Sequence, residues 1–254
     1  MHRSPTVRHN LRSIRHYRLV NAGVETLSRG CTLPRHHHRA GYATIVLDGH
    51  FTEASFAGRF QVSPGDVLLH GRFDCHSNAS PRNTAPRILR LPWSDDAKEG
   101  LFRVTDIDRL VRVAERDPWE AAHELTFSLS AQVAPQEDWP ACLARDLTAS
   151  ASLSLRNWAT AHGLVIETLS RGFGKSFGVT PRLFRLQVRT RAAWRSIVNT
   201  TECLTTIAHT EGFADLAHMS RSVSAFTGAS PAQWRRACRS DTDHAGHLAG
   251  RHIG

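Results

Sequence analysis

His36-His37-His38 stand just ahead of an apolar run at 40–47. His70 ends a second run, and Cys75-His76-Ser77-Asn78 follows a few residues on. Three neutral imidazoles that converge suit Zn, Ni, Cu or Fe. The same side chains can equally line a pocket or a rim. A metal enzyme also needs an open coordination position and a substrate pocket, and no nucleophile–base pairing is evident. A second group lies far downstream: Glu167, Ser170, Arg171 and Lys175, then Ala217, His218, Ser220 and Arg221. Arginine can grip guanine with two hydrogen bonds or hold a phosphate. Glutamate can accept from cytosine, and alanine can pack on a thymine methyl.

The second group sits in a duplicated frame. Leu169-Ser170-Arg171 recurs as Met219-Ser220-Arg221, and Gly178-Val179-Thr180-Pro181 recurs as Gly228-Ala229-Ser230-Pro231, at one fixed interval. A fixed interval of this size marks a repeated supersecondary unit. In each copy a helical apolar run, a glycine (Gly163, Gly212) and a second run follow one another. Helix, short turn, helix is the helix-turn-helix layout. With Leu169 or Met219 inward, about 100° per residue turns Glu167 and Arg171, or Ala217 and Arg221, outward. A long helix from Pro181 to about Val198 should join the copies. Arg182, Arg185, Arg189, Arg191 and Arg195 decorate it, and Leu183, Leu186, Trp194 and Ile197 supply its buried faces.

The first half reads differently. Short apolar runs alternate with turn signals, including Asp48-Gly49, which predicts a hairpin, and Ser63-Pro64-Gly65-Asp66. Such a pattern predicts a small sandwich or barrel. From Trp93 the pattern turns helical. Ile107, Leu110, Val111 and Ala114 share one helix face. Asp117-Pro118 opens a helix to about Leu129.

Residues 169–181 and Ile-Ala-x-x-x-Gly-Phe-x-Asp at 207–215 resemble the DNA-binding domain of AraC/XylS-type transcription regulators. His36-His37-His38, Gly49, Pro64-Gly65-Asp66-Val67 and Cys75-His76-Ser77-Asn78 are similar to the cupin-type N-terminal domain of the same regulators. The resemblance implies recognition helices in successive major-groove segments, about 34 Å apart. It implies a metal or effector set at His36, His38 and His76. The family's carboxylate position falls near Tyr42 or Ala43, so His70 is the substitute. Helices after the barrel would pair two subunits. Departures are Val165 and Ala214 where Ser or Thr usually caps the recognition helices, with Asp215 a shifted cap for the second. Gly172 and Gly174 weaken the first recognition helix at about 1 kcal/mol each. Thr227 stands where an aromatic is usual, with Phe226 as its replacement.

The chain has 254 residues and a net charge of +9. Residues 151–254 carry 13 Lys/Arg against 6 Asp/Glu, so most of the excess lies with the repeat. A basic patch favours phosphate polyanions. Cys31, Cys75, Cys142, Cys203 and Cys238 are scattered, without a C-x-x-C pair, as in a reduced cytosol. No apolar run is of spanning length, and the Arg/His-rich start lacks the apolar stretch of a secretory signal.

These features predict a multi-domain chain: an N-terminal cupin-like β-barrel and an all-α C-terminal domain with two helix-turn-helix units joined by a long helix. Expected boundaries are a basic tail over 1–19, a barrel over 20–92, helices over 93–133, a linker over 134–138, a DNA-binding domain over 139–238 and a tail over 239–254. The predicted function is a cytoplasmic, sequence-specific DNA-binding transcription regulator, not an enzyme. Its partners would be double-stranded DNA, a small-molecule effector, a second copy of the chain and RNA polymerase, with no membrane. No cofactor is required, although a divalent metal at His36, His38, His70 or His76 is the one the residues would accept. The alternatives are a metal-dependent cupin enzyme or metal sensor with an accessory helical domain, and a non-specific DNA-packaging protein.

Overall fold

The computed structural model describes residues 22–94 and 98–238. The tails read at 1–19 and 239–254 lie outside the described residues. Two antiparallel sheets come first. One orders β1 (Gly23–Thr26), β8 (Arg87–Pro92), β3 (Tyr42–Asp48), β6 (Asp66–His70) and β9 (Gly100–Arg103). The other orders β2 (Thr32–His37), β7 (Cys75–Ala79), β4 (Phe51–Ala54) and β5 (Arg59–Val62). Among the described residues no strand of one sheet pairs with a strand of the other. The expected closed barrel is therefore an open two-sheet sandwich.

The turns explain the difference. Asp48-Gly49 does not close a hairpin, because β3 and β4 belong to different sheets. Gly49, at φ +74°, sends the chain across, and a Cβ there would lie 3.0 Å from Pro86. The turn at 63–66 brings it back. Asp66 Oδ2 accepts from Ser63 N at 2.9 Å and from its hydroxyl at 3.1 Å, and Gly65 takes φ +92°. Among the described residues only β4 and β5 are consecutive strands paired as a hairpin.

Strand alternation sorts the core into two layers. Val46, Leu68 and Ile88 of the first sheet meet Phe51, Phe60 and Val62 of the second. On the other face Ala43, Ile45, Val67, Leu69 and Leu89 meet two helices. These are α1 (Ile107–Ala114), capped by Asp106, and α2 (Pro118–Ser128), with the expected Asp117 cap. Strand β9 corrects the reading of everything after Trp93 as helical. Its four residues are too short to show a period, and they pair with β6.

Helices follow: α3 (Trp139–Ala149), α4 (Leu155–Ala161), α5 (Ile166–Phe177), α6 (Pro181–Asn199), α7 (Leu204–Thr210), α8 (Leu216–Thr227) and α9 over 231–238. Two compact units divide between Arg185 and Leu186. In the first unit Phe173, Phe177 and Phe184 form an aromatic core at ring distances of 4.7–5.4 Å. Arg35 of β2 lies over Phe56 at 5.1 Å and Phe184 at 4.9 Å, and donates to the Ala54 carbonyl at 3.2 Å.

In the second unit Trp194 meets Trp234 edge-to-face at 5.7 Å. Thr227, not Phe226, holds the buried position. Its hydroxyl donates to the Val223 carbonyl at 2.8 Å and accepts from Trp234 Nε1 at 2.7 Å. A hydroxyl is thus required where an apolar ring was expected. Helix α6 also departs from its reading. Leu183 is exposed and Phe184 is buried in its place, while Arg191 is 4 % exposed. Arg189 donates to the Gly212 carbonyl at 2.9 Å.

Candidate nucleic-acid interface and histidine cluster

Each recognition helix is built from an apolar inner row and a polar outer one. In α5 the inner row is Leu169, Phe173 and Phe177; in α8 it is Met219, Val223 and Thr227. Both end at a left-handed glycine, Gly178 at φ +73° and Gly228 at φ +80°, where a side chain would be strained. The expected outer residues Glu167, Arg171 and Lys175 are exposed on α5, and Ala217 and Arg221 on α8. Ser170, His218 and Ser220 are half-buried. The His218 ring rests edge-on against Phe213 at 5.2 Å. None of Arg171, Lys175 and Arg221 has an acidic partner among the described residues, so their charge is available to a polyanion.

The caps differ as the residues imply. Val165 gives α5 no side-chain cap, whereas Asp215 accepts from His218 N at 2.6 Å. Val165 is 64 % exposed. With exposed Thr168, it extends the outer face to the start of the helix. From sequence Val165 stood out only as a missing cap and Thr168 not at all, though both follow from the same helical spacing that placed Arg171.

The histidines gather on one side of the sandwich interior. The register of β2 on β7 puts His36 opposite His76, with ring centroids 4.4 Å apart. His38 lies 5.0 Å from His36 and 5.5 Å from His76. One ligating atom each from His36, His38 and His76 falls within 4.8 Å of the others. His36 Nδ1 contacts the Pro34 carbonyl at 2.8 Å, so that nitrogen carries the proton. The Tyr42 hydroxyl bonds His76 Nε2 at 2.9 Å, and the ring of Tyr42 stacks on His70 at 4.6 Å.

His70 has its own partners. Its Nδ1 bonds Asp74 at 2.9 Å and its Nε2 faces Glu53 at 3.4 Å, all three being nearly inaccessible to solvent. Burial alone would push its pKa down. The Glu53 charge, with hydrogen bonds to Asp74 and Glu53, outweighs burial and raises it to about 10. The neighbouring rings go the other way. Burial first, then the charges of His36 and His70, lowers His38 to about 4. Burial, then His70, holds His76 well below the usual histidine range. His76 Nδ1 and Glu53 Oε1 are buried without a hydrogen-bond partner among the described residues.

Glu53 and Asp74 were missed from sequence. Alternation held the signal for both. Glu53 shares strand parity with buried Phe51, and Asp74 with His76. Sheet membership, which brings Glu53 of β4 opposite Asn78 of β7, is non-local and left no local mark.

Residues 158–237 match the family model described as a helix-turn-helix domain. That span begins within α4 and takes in α5 and the whole second helix pair. The C-terminal domain is an AraC-type helix-turn-helix domain. No curated protein matches the chain significantly. Among solved structures, unsaturated fatty acid-bound ToxT from Vibrio cholerae strain SCE256 is similar at 11 % identity and a TM-score of 0.38. That match covers 87 % of this chain and 97 % of ToxT. A probable AraC family transcriptional regulator from Rhodopseudomonas palustris CGA009 matches at 20 % identity and a TM-score of 0.36, over 38 % of this chain and 93 % of its own. The C-terminal domain of the response regulator yesN from Fusobacterium nucleatum matches at 23 % and 0.33, over 37 % of this chain and 90 % of its own. At these scores the likenesses carry no weight, and the AraC-type assignment rests on the family match. No described helix is long and apolar enough to cross a membrane.

Proposed function

We propose that the chain is a sequence-specific DNA-binding transcription regulator, controlled by a small effector taken up in the two-sheet domain. The observation that carries it is the repeated outer face of the AraC-type domain. Arg171 and Arg221 occupy equivalent exposed positions on two helices, without an acidic partner among the described residues. Glu167, Ser170 and Lys175 would read or hold DNA beside the first arginine, and Ala217, His218 and Ser220 beside the second. Val165 and Thr168 join them at the start of α5. Of the α6 arginines, exposed Arg182 is best suited to a phosphate, since Arg189 and Arg191 are engaged or buried.

The chain would act as a homodimer. Exposed Trp119, His123 and Phe127 recur at four-residue spacing along α2, and sedimentation of the full chain reports the pairing. RNA polymerase is the further partner in this reading, and the histidine cluster is the place for the effector.

Selection from a random DNA library, at physiological salt with excess competitor, tests the proposal. Two boxes about 10–10.5 base pairs apart are expected. Arg171→Ala or Arg221→Ala should each cost about 1–3 kcal/mol of discrimination at one box, with the fold retained. Enrichment of no motif, or variants that select the same motif equally well, would overturn it.

A further inference from the structure

Among the described residues one short segment brings three ligating side chains together: His70, Asp74 and His76. Their ligating atoms lie within 4.8 Å of one another, and all three residues are buried. The geometry points to this set, rather than the His36–His38–His76 set that the family resemblance implied, as a site for a divalent transition-metal ion. The ligands would be His70 Nδ1, His76 Nδ1 and the Asp74 carboxylate. The inference rests on the reading of the sheet domain as a sensor and gives its effector a chemical class.

Four observations support it. First, His76 Nδ1 is a buried nitrogen with no hydrogen-bond partner among the described residues, while Nε2 of the same ring is engaged by the Tyr42 hydroxyl at 2.9 Å. In the tautomer whose Nε2–H donates to the Tyr42 oxygen, Nδ1 presents its lone pair to an ion.

Second, His70 also has an outer partner, and its other nitrogen already meets the proposed carboxylate ligand. Its Nε2 faces Glu53 at 3.4 Å, and its Nδ1 lies 2.9 Å from Asp74 Oδ2. Outer partners of this kind, a carboxylate or hydroxyl behind each ligating imidazole, orient ligand rings at metal sites. A separation of 2.9 Å also fits two neighbouring ligand atoms each about 2.1 Å from one ion.

Third, the ligand types select the ion. Two imidazoles and one carboxylate suit a first-row divalent ion, whereas Ca and Mg prefer oxygen alone. Fourth, charge balances. Asp74 as ligand and Glu53 behind His70 together match a dication, and the ion takes the place of the proton His70 shares with Asp74. The outer set has no carboxylate. His36 and His38 are only half-buried. They would form the wall towards solvent, beside the coordination positions that three protein ligands leave open.

The test uses the full chain, purified without an affinity tag and stripped by a chelator. Cobalt(II) chloride is the probe, because its visible absorption reports nitrogen and oxygen ligation directly. About one cobalt per chain is expected in the wild type. Glu53→Gln should bind about 10–100-fold more weakly, and Asp74→Asn should lose the band. The His36→Ala/His38→Ala double variant should keep it. Circular dichroism of each variant separates lost ligation from lost folding.

Two outcomes overturn the site. One is a wild type without stoichiometric cobalt, which would leave only water at His76 Nδ1. The other is a double variant that loses cobalt while folded Asp74→Asn retains it. DNA selection with stripped and loaded protein is a separate readout. A chain that binds DNA but no cobalt defeats the metal assignment alone. A chain that binds cobalt but selects no DNA sequence in either state defeats the regulator reading alone.

Discussion

Gly172 and Gly174 show how one residue type can serve opposite ends two positions apart. Both sit inside α5, where glycine costs about 1 kcal/mol against alanine. A Cβ at Gly172 would lie 2.4 Å from the Trp139 ring, whereas at Gly174 it would meet only the Val179 carbonyl at 3.9 Å. The first glycine is a close approach between α3 and α5, and the second is simply a weak helix former. Gly172→Ala should therefore destabilise the chain by about 1–3 kcal/mol, less the propensity it recovers. Gly174→Ala should stabilise it by up to about 1 kcal/mol. Urea unfolding of the two variants checks the signs. From sequence both looked alike, because nothing local names the partner of a helix face. Thr227 teaches the same lesson, since its hydrogen bond to Trp234 Nε1 at 2.7 Å was invisible until Trp234 had a place.

At the scale of elements, the helices were legible and the sheets only partly so. Caps, glycine stops and apolar spacing are local, and the Asp117 and Asp215 caps stand where the residues implied. Strand existence was equally local. Strand partnership was not, and Asp48-Gly49 was misjudged because a two-residue turn was assumed to join paired strands. The histidines were found by type and the carboxylates were not, since Glu53 reaches them only through the β4–β7 pairing. The caps of the recognition helices are unequal, and that can be measured. Val165→Ser gives α5 a hydroxyl to accept from its first amides and should add about 0.5–2 kcal/mol. Asp215→Ala removes the 2.6 Å bond to His218 N and should cost about the same. Thermal denaturation of both variants should give melting shifts of opposite sign.

At the scale of the whole molecule, the two halves were legible as different in kind: a basic, periodic C-terminal half and a turn-rich N-terminal half. What composition could not reveal is how the first helix pair is fastened to the sheets. Arg35 lies between Phe56 of the sheet domain and Phe184 of the helical core, and Gly178 sits close enough that a Cβ would meet Arg35 Cβ at 3.5 Å. Cation–π contacts of this kind contribute about 0.5–2 kcal/mol each. Such a clasp makes local opening a shared event. Amides of β4 and of α5 should exchange with deuterium at a common rate, as one foldon. Arg35→Ala should let the α5 amides exchange faster while those of β4 keep their protection. Equal acceleration in both elements would mean that the clasp lies elsewhere. With faster exchange in α5 alone, a single guanidinium sets how often the first recognition helix comes loose from the sheets beside it.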